Sequence, residues 1–347
     1  MARLSRWIGA LLVPALAAAG PLLADDSLPT PPQSNPVLAT TDIDVPSTGQ
    51  FSTTLPGEAC CASSECGQRK LGFIAYADYL NWDAGVKGLG FASVARAPLD
   101  SPPDVLATQS LDFGNSNGVR VGLGYRFANN WDVTWNYTHF RNQTSAAALT
   151  SGLMDTALLA SHSVFNSTPM SSIHADASLA MRIHDFEANY YACLDEAVSF
   201  RMFGGLRLAE IDQGFETAYM VVATAREGQI SLPSQMDAAG GRLGAEISRR
   251  SESGFRIFAR GGISYLSADF HTRQRETFSN QTVIDLEQTT TRFVSVLEGA
   301  AGVGWQRGPL EVDVGYEMND WINMLAADGT VQDLFVRGLF VRLAFVH

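Results

Sequence analysis

Lysine is almost missing from this chain of 347 residues: Lys70 and Lys87 are its only two, and Arg supplies the other positive charges. With a formal net charge of −12, the chain lacks the basic surface that a nucleic-acid partner requires. Long apolar runs are missing as well. The single candidate is N-terminal, from Trp7 to Ala19, and it falls short of the roughly 20 residues that a spanning helix needs. A helical membrane bundle is therefore excluded, and any spanning structure has to be a closed barrel, which alone pairs all its strand backbone groups in lipid. Cysteine is confined to Cys60, Cys61, Cys66 and Cys193. The CC-x4-C cluster has no neighbouring His and no paired C-x2-C spacing, which argues against zinc. His139, His162, His174, His184 and His347 show no ligand spacing either, so no metal and no cofactor is expected.

The N-terminus is not featureless. Arg3 and Arg6, the short apolar run and the small residues up to Ala24 have the order of a secretory signal peptide over residues 1–24, with cleavage fitting after Ala19 or Ala24. Residues 25–69 are rich in Pro, Ser and Thr and lack periodicity, as in a flexible leader. From residue 70 to 347 the composition turns to Gly, aromatics and alternating apolar residues.

The alternation is clearest in Gly118–Phe140, GVRVGLGYRFANNWDVTWNYTHF. Val119, Val121, Leu123, Tyr125 and Phe127 share one face, and Trp131, Val133, Trp135 and Tyr137 continue it after a turn at Ala128–Asn130. This is period two on both arms of a hairpin. The same pattern predicts strands at Lys70–Trp82, Ala177–Ala192, Val198–Leu208, Ala238–Ser248, Phe255–Tyr265, Thr291–Trp305, Leu310–Met318 and Leu334–Val346. In the first of these, Phe73, Ala75, Ala77 and Tyr79 compete with Ile74, Tyr76, Leu80 and Trp82 for the inner face, and Asp78 favours the second set. The ALTSGLMDTALLA stretch predicts a short helix.

Connections sort by length. Those at Ala128, Cys193–Glu196, Arg249–Gly254 and Gln306–Pro309 are short. Those at 83–117, 141–175, 214–237, 268–289 and 319–333 are long, and the two kinds alternate. Short turns on one side and long loops on the other describe an all-β, closed, antiparallel, up-and-down transmembrane barrel of about ten strands, with its turns and leader in the periplasm. A soluble sandwich fits less well, because typical soluble strands are about five or six residues and a tilted spanning strand needs about nine to eleven. The expected location is the cell outer membrane.

The segments GVRVGLGYRF-ANNWDVTWNYTHF, MRIHDFEANY, RMFGGLRLAEIDQ, GGRLGAEISRR and GFRIFARGGISYL follow one another in an order that resembles the Legionella-type major outer-membrane protein family. The resemblance covers most of Gly72–Phe345 and implies a pore-forming barrel without catalytic residues. It departs from expectation in the leader cysteines and in a chain that ends Val346–His347, after the aromatic Phe345 of the kind read by outer-membrane assembly machinery.

With apolar residues assigned to lipid, the remaining faces predict a pore lining. Arg120, Arg126, Arg201, Arg207, Arg242, Arg256, Arg260 and Arg342 are matched in number by Asp132, Asp185, Glu187, Glu246, Glu298, Glu311, Asp313 and Glu317. Balanced charge argues against strong ion selectivity, and Arg forks pair bidentately with carboxylates. The expected function is a narrow, restricted pore for small solutes or ions. The alternative is a non-conducting structural or adhesive barrel that acts through its long extracellular loops. No enzyme is expected. Some ten-strand barrels hold acidic residues and a His near the outer rim for peptide cleavage, and here Asp212, Asp269 and His271 lie near strand ends without a protease motif around them. The glycines of GVRVGLGYRF and GGRLGAEISRR open no helix and so are not phosphate loops. Cys193 falls on the same side as Cys60, Cys61 and Cys66; a leader-to-turn disulfide is topologically allowed, and pairing within the leader competes with it.

Overall fold

The computed structural model describes residues 71–86, 89–96, 105–127, 129–150, 156–195, 197–325 and 330–346. The signal peptide, the leader, Cys60, Cys61 and Cys66 lie outside the described residues. Thirteen strands are formed: β1 (Gly72–Val86), β2 (Gly90–Arg96), β3 (Val105–Ser110), β4 (Ser116–Arg126), β5 (Trp131–Leu149), β6 (Thr156–Ala160), β7 (Met170–Cys193), β8 (Val198–Val221), β9 (Glu227–Arg250), β10 (Phe255–Phe278), β11 (Gln281–Arg307), β12 (Leu310–Leu325) and β13 (Val331–Val346). Ten of them form an antiparallel ring in the order β7-β5-β4-β1-β13-β12-β11-β10-β9-β8, closed by a β7–β8 ladder from Met170↔Val221 to Cys193↔Ser199 whose one irregularity lies at Met170/Ser172. The other three, β3, β2 and β6, extend the sheet from the edge of β7, with Leu158 opposite Met170.

The tight turns at one end, here called the lower end, have local causes. Asn130 and Gly254 adopt positive φ of 64° and 83°, and Gly308 adopts 61°, conformations that Gly and Asn tolerate. Around this end and up the outside wall runs an apolar belt. Along β10 it comprises Phe255, Ile257, Ala259, Ile263 and Tyr265, a stretch of the length a tilted spanning strand requires, about nine to eleven residues. Phe127, Trp131, Phe255, Trp305 and Phe345 are exposed near the lower rim, and Tyr79, Tyr265 and Phe293 near the upper one. Aromatic rings at both rims fit two water–lipid boundaries.

Above the belt the alternation changes phase. On β8, Met202 and Leu206 face out, while Ala209, Ile211, Phe215, Tyr219 and Val221 are buried inside. The phase shifts at Tyr265/Leu266 on β10 and at Val296/Leu297 on β11, where Leu266, Phe270, Val294 and Val296 are fully buried and Tyr265 and Leu297 exposed. The reason is a change of solvent. Within lipid the outside takes the apolar residues; above it the outside is wet, and the hydrophobic effect drives them inward.

This phase change corrects two expectations. The segments 214–237 and 268–289 are not long loops but upper halves of hairpins. β8 and β9 join through residues 222–226, and β10 and β11 join at Ser279–Asn280, both at positive φ (50° and 64°) as a type I′ turn demands. The helix predicted in ALTSGLMDTALLA is absent: β5 continues to Leu149 and Thr156–Ala160 is strand β6. Its apolar residues fit a strand as well as a helix, and pairing with β2 decides the matter, with Leu158 opposite Val94. In β1 the second register holds, since Ile74, Leu80 and Trp82 are buried and Phe73 and Tyr79 exposed.

The upper mouth is capped. Phe91, Leu111, Phe113 and Leu158 of the extension belong to the same apolar cluster as Ile173, Ile211, Phe270 and Leu334 of the wall. Glu276, fully buried, accepts hydrogen bonds from Ser163 Oγ (2.5 Å), the Val164 amide (2.9 Å) and Tyr219 OH (2.6 Å). Burial, together with that bond to Glu276, pushes the Tyr219 phenol above its usual range. Phe165 packs on Phe278 at 5.0 Å.

Replacing Glu276 by Ala leaves the buried Ser163 and Tyr219 hydroxyls and the Val164 amide without their acceptor, a loss of about 1–3 kcal/mol. We expect faster hydrogen exchange at Val164 with the belt strands unaffected; unchanged protection there would show that Glu276 does not hold the cap.

Candidate functional site

The interior of the ring at belt height is built from strand positions of a single parity, because successive side chains point to opposite faces. That parity places all of the predicted lining residues inside: Arg120 and Arg126 on β4, Asp132 on β5, Asp185 and Glu187 on β7, Arg201 and Arg207 on β8, Arg242 and Glu246 on β9, Arg256 and Arg260 on β10, Glu298 on β11, Glu311, Asp313 and Glu317 on β12, and Arg342 on β13. Most of them are held by ion pairs in three groups.

The first group joins β1, β4, β12 and β13. Arg342 grips Asp78 through two hydrogen bonds of 2.8 Å. Arg120 donates to Asp78 at 3.1 Å and reaches across to both oxygens of Glu317 at 3.1 and 3.2 Å. Trp82 Nε1 donates to the same Glu317 at 3.1 Å. The second group joins β7, β8, β9 and β11. Arg207 holds Asp185 at 2.6 and 2.9 Å and Glu298 at 2.8 Å. Arg242 reaches Asp185 at 3.3 Å and Glu298 at 2.8 Å, and also pairs with Glu187. The third group lies nearer the lower rim, where Arg201 meets Glu246 at 2.7 Å and Arg256 meets Glu311 and Asp313, each at 2.7 Å.

Three predicted residues stand apart from these groups. Arg126 lies opposite Asp132 in the β4–β5 register, and Asp132 accepts from Asn189 at 2.7 Å instead. Arg260 makes no ion pair among the described residues and lies 5.3 Å from the Phe203 ring. The arginines are used for more than charge, since Arg342 lies 4.1 Å from the Tyr76 ring and Arg242 5.0 Å from that of Phe203.

Sequence reasoning left out Asp78, which is 3% exposed and anchors the first group. Its parity with Leu80 and Trp82 was the available signal. It also left out Arg250, 3.9 Å from Glu311, and the aromatic partners Trp82 and Phe203, which carry no charge to mark them. Directly above the ionic layer, Trp82, Phe140, Phe270 and Trp321 fill the lumen at 0–2% exposure, with Trp82 and Phe140 rings 5.3 Å apart. Between the two tiers remains a cavity of about 30 Å³, bordered by Tyr76, Trp82, Arg120, Arg207, Arg260, Glu317 and Trp321 among others. That is space for about two water molecules.

The residues weighed for peptide cleavage face the outside of the wall. Asp212 pairs with Arg182 at 3.2 Å, Asp269 accepts from Thr291 at 2.6 Å, and His271 Nδ1 lies 3.1 Å from Thr289 Oγ1. Among the described residues, no three His, Cys, Asp or Glu side chains are grouped to hold a metal. Cys193 is disulfide-bonded; Cys60, Cys61 and Cys66 lie outside the described residues.

Asp78→Asn strips the largely buried Arg120 and Arg342 guanidinium groups of the fully buried carboxylate they share, which costs about 3–5 kcal/mol. Glu311→Gln, nearer the rim, leaves Arg256 with Asp313 and costs about 1 kcal/mol. Urea unfolding of the lipid-embedded protein should rank the two in that order; equal or reversed losses would refute the assignment of Asp78 as the anchor.

No curated protein matches the chain. Solved structures similar to it include the outer membrane protease OmpT from Escherichia coli, at 9% identity with a TM-score of 0.47, covering 80% of this chain and 97% of that one. Neisserial surface protein A is similar at 12% identity and a TM-score of 0.29, with 80% and 99% covered. Ail, the attachment invasion locus protein of Yersinia pestis, is similar at 11% identity and a TM-score of 0.27, with 80% and 100% covered. The family model for the Legionella pneumophila major outer membrane protein precursor matches residues 77–347. With that match over most of its length, and over the whole ring beyond the first residues of β1, the chain belongs to the Legionella major outer-membrane protein family and is an outer-membrane β-barrel.

Proposed function

We propose that this protein is a lumen-filled outer-membrane barrel, shut to solutes in its resting state, which serves the envelope through its wall and through the sheet it raises above the membrane. The observation that carries this reading is the double closure. An ionic layer crosses the lumen, and Trp82, Phe140, Phe270 and Trp321 pack it just above, at 0–2% exposure. Strand number agrees, since barrels of about eight strands are filled by side chains and aqueous channels need about 16. Its partners on this reading are outer-membrane lipid around the belt, the assembly machinery that inserts it, and whatever the upper sheet meets outside.

A second reading, a narrow pore for small ions, is favoured by the sharing of arginines. Arg242 touches Asp185, Glu187 and Glu298, and Arg256 touches Glu246, Glu311 and Asp313. Each can exchange one carboxylate for another without leaving a charge bare, as a gate requires.

Single-channel recording of folded protein in planar bilayers separates the two. The closed barrel gives no conductance steps from the natural chain, and steps appear when Trp82 and Trp321 are both replaced by Ala. Steps from the natural chain that change in Glu311→Gln or Asp313→Asn would overturn the closed barrel in favour of the pore.

A further inference from the structure

The upper half of β11 ends the wall on an open edge. β12 pairs with β11 only from Ser295↔Ile322 downward. The stretch Ile284–Thr291 above it therefore has β10 on one side and, among the described residues, no strand on the other. From Gln281 to Thr291 none of the side chains is buried. The edge is longer than the five or six residues of a typical strand, and natural sheets blunt such edges with Pro, Lys, an inward-pointing charge or a bulge. Residues 284–291, IDLEQTTT, hold neither Pro nor Lys, and the charges among them point outward. The one irregularity in the pairing with β10 lies at Glu276/Thr277, close to the turn, and the register below it is regular.

The two faces of this edge differ, and together they describe what pairs with it. On the inner face stand Ile284 and Leu286, in register with Glu276 and Gln274 of β10, and Leu286 is 61% exposed. On the outer face stand Asp285 and Glu287, in register with Arg275 and Arg273. Arg273 donates to both oxygens of Asp285 at 2.7 Å. The basic row thus lies on β10 and the acidic row on the edge strand. A further strand that is basic outward and apolar inward completes the alternation, because cross-strand neighbours of opposite charge attract. A second copy does not meet this description. Its own β11 brings Asp285 and Glu287 against the same acids, and like charges set opposite each other repel. Nor do the neighbouring segments of this chain fit: residues 326–329 are too few, and Pro98, Pro102 and Pro103 leave 97–104 short of N–H donors.

We propose that the Ile284–Thr291 edge of β11 is a docking site for an extended segment of another protein, added as a further strand whose side chains alternate basic and apolar. Its backbone continues the ladder, its basic residues meet Asp285 and Glu287, and its apolar ones cover Ile284 and Leu286. This rests on the reading that the upper sheet meets partners outside the membrane, and it names the kind of partner. It does not depend on whether the lumen conducts.

The test mixes the full-length folded protein, in an uncharged detergent, with a fluorescent peptide Arg-Val-Arg-Val-Arg-Val-Arg-Val. One control peptide has the same residues in two blocks, all Arg and then all Val. A second is methylated at every backbone nitrogen and cannot donate to the ladder. Anisotropy should show saturable binding of the alternating peptide, about tenfold tighter than either control. Amide exchange should slow over 284–291 when it binds, and stay unchanged in the belt strands. Leu286→Lys sets a protective charge on the inner face of the edge and should weaken binding about tenfold. Folding of that variant is checked by heat-modifiable mobility on gels; if it does not fold, the methylated peptide on the natural chain carries the test. Equal binding of all three peptides, or protection that falls elsewhere, overturns the proposal. So do amides at 284–291 that are already as protected as the belt in the free protein, or dimers that shield them, since the edge is then covered by this chain or by a second copy. Failure here leaves the closed lumen standing, because conductance reports on that separately.

Discussion

The pairing of β7 with β8 is what the rest of the structure depends on. A sheet in lipid has no water to satisfy its edge groups, so every strand must find a neighbour on both sides. The ladder that runs without a break from Ser172↔Met220 to Cys193↔Ser199 supplies the last pairing and turns a ten-strand sheet into a ring. Closure has a steric requirement too. At Gly205 a Cβ would lie 1.8 Å from the Phe186 carbonyl oxygen on β7, so the two strands approach as closely as they do only because that position is glycine.

Once the ring is closed, its interior is too narrow to hold bulk water yet faces no lipid, and each height solves this differently. At belt height the outward positions are apolar, so the inward ones carry the polar residues, and those must satisfy one another. Arginine meets this need because its planar fork serves two carboxylates at once, as Arg207 serves Asp185 and Glu298. The near absence of lysine follows the same logic, since a compact ammonium makes no bidentate pair. Above the belt, where water wets the outside, apolar side chains move to the inside and the lumen becomes an ordinary hydrophobic core. The ionic tier contributes little net stability when weighed against an apolar replacement. It fixes register instead, because a one-residue slip would carry every inward charge into lipid.

Much of this was legible from residue order. The alternation in Val119–Phe127 and Trp131–Tyr137 named the strands β4 and β5, and the parity of the charged residues set them inside before any contact was known. The upper halves were not legible on the same rule. Assigning apolar residues to lipid throughout makes the rhythm break at Leu208/Ala209 or Tyr265/Leu266, and the break then passes for a loop. The break is the membrane boundary, marked by consecutive residues of like polarity, and the strands run on through it. Asp78 already marked the inner face of β1 in the sequence, but the arginines that it holds, Arg120 on β4 and Arg342 on β13, come only from the pairing of β1 with those strands.

The sequence by itself determined the class of the structure, its outer-membrane address and which side chains face inward, because period two and strand length are local properties that lipid and water read residue by residue. Only the tertiary structure decided who meets whom across the lumen: that Arg120 on β4 reaches Glu317 on β12, that Arg207 on β8 reaches Glu298 on β11, and that Trp82 and Trp321 are buried just above them. Such pairings depend on the tilt and stagger with which ten strands close. Those are set by the ring as a whole, and no stretch of sequence carries them.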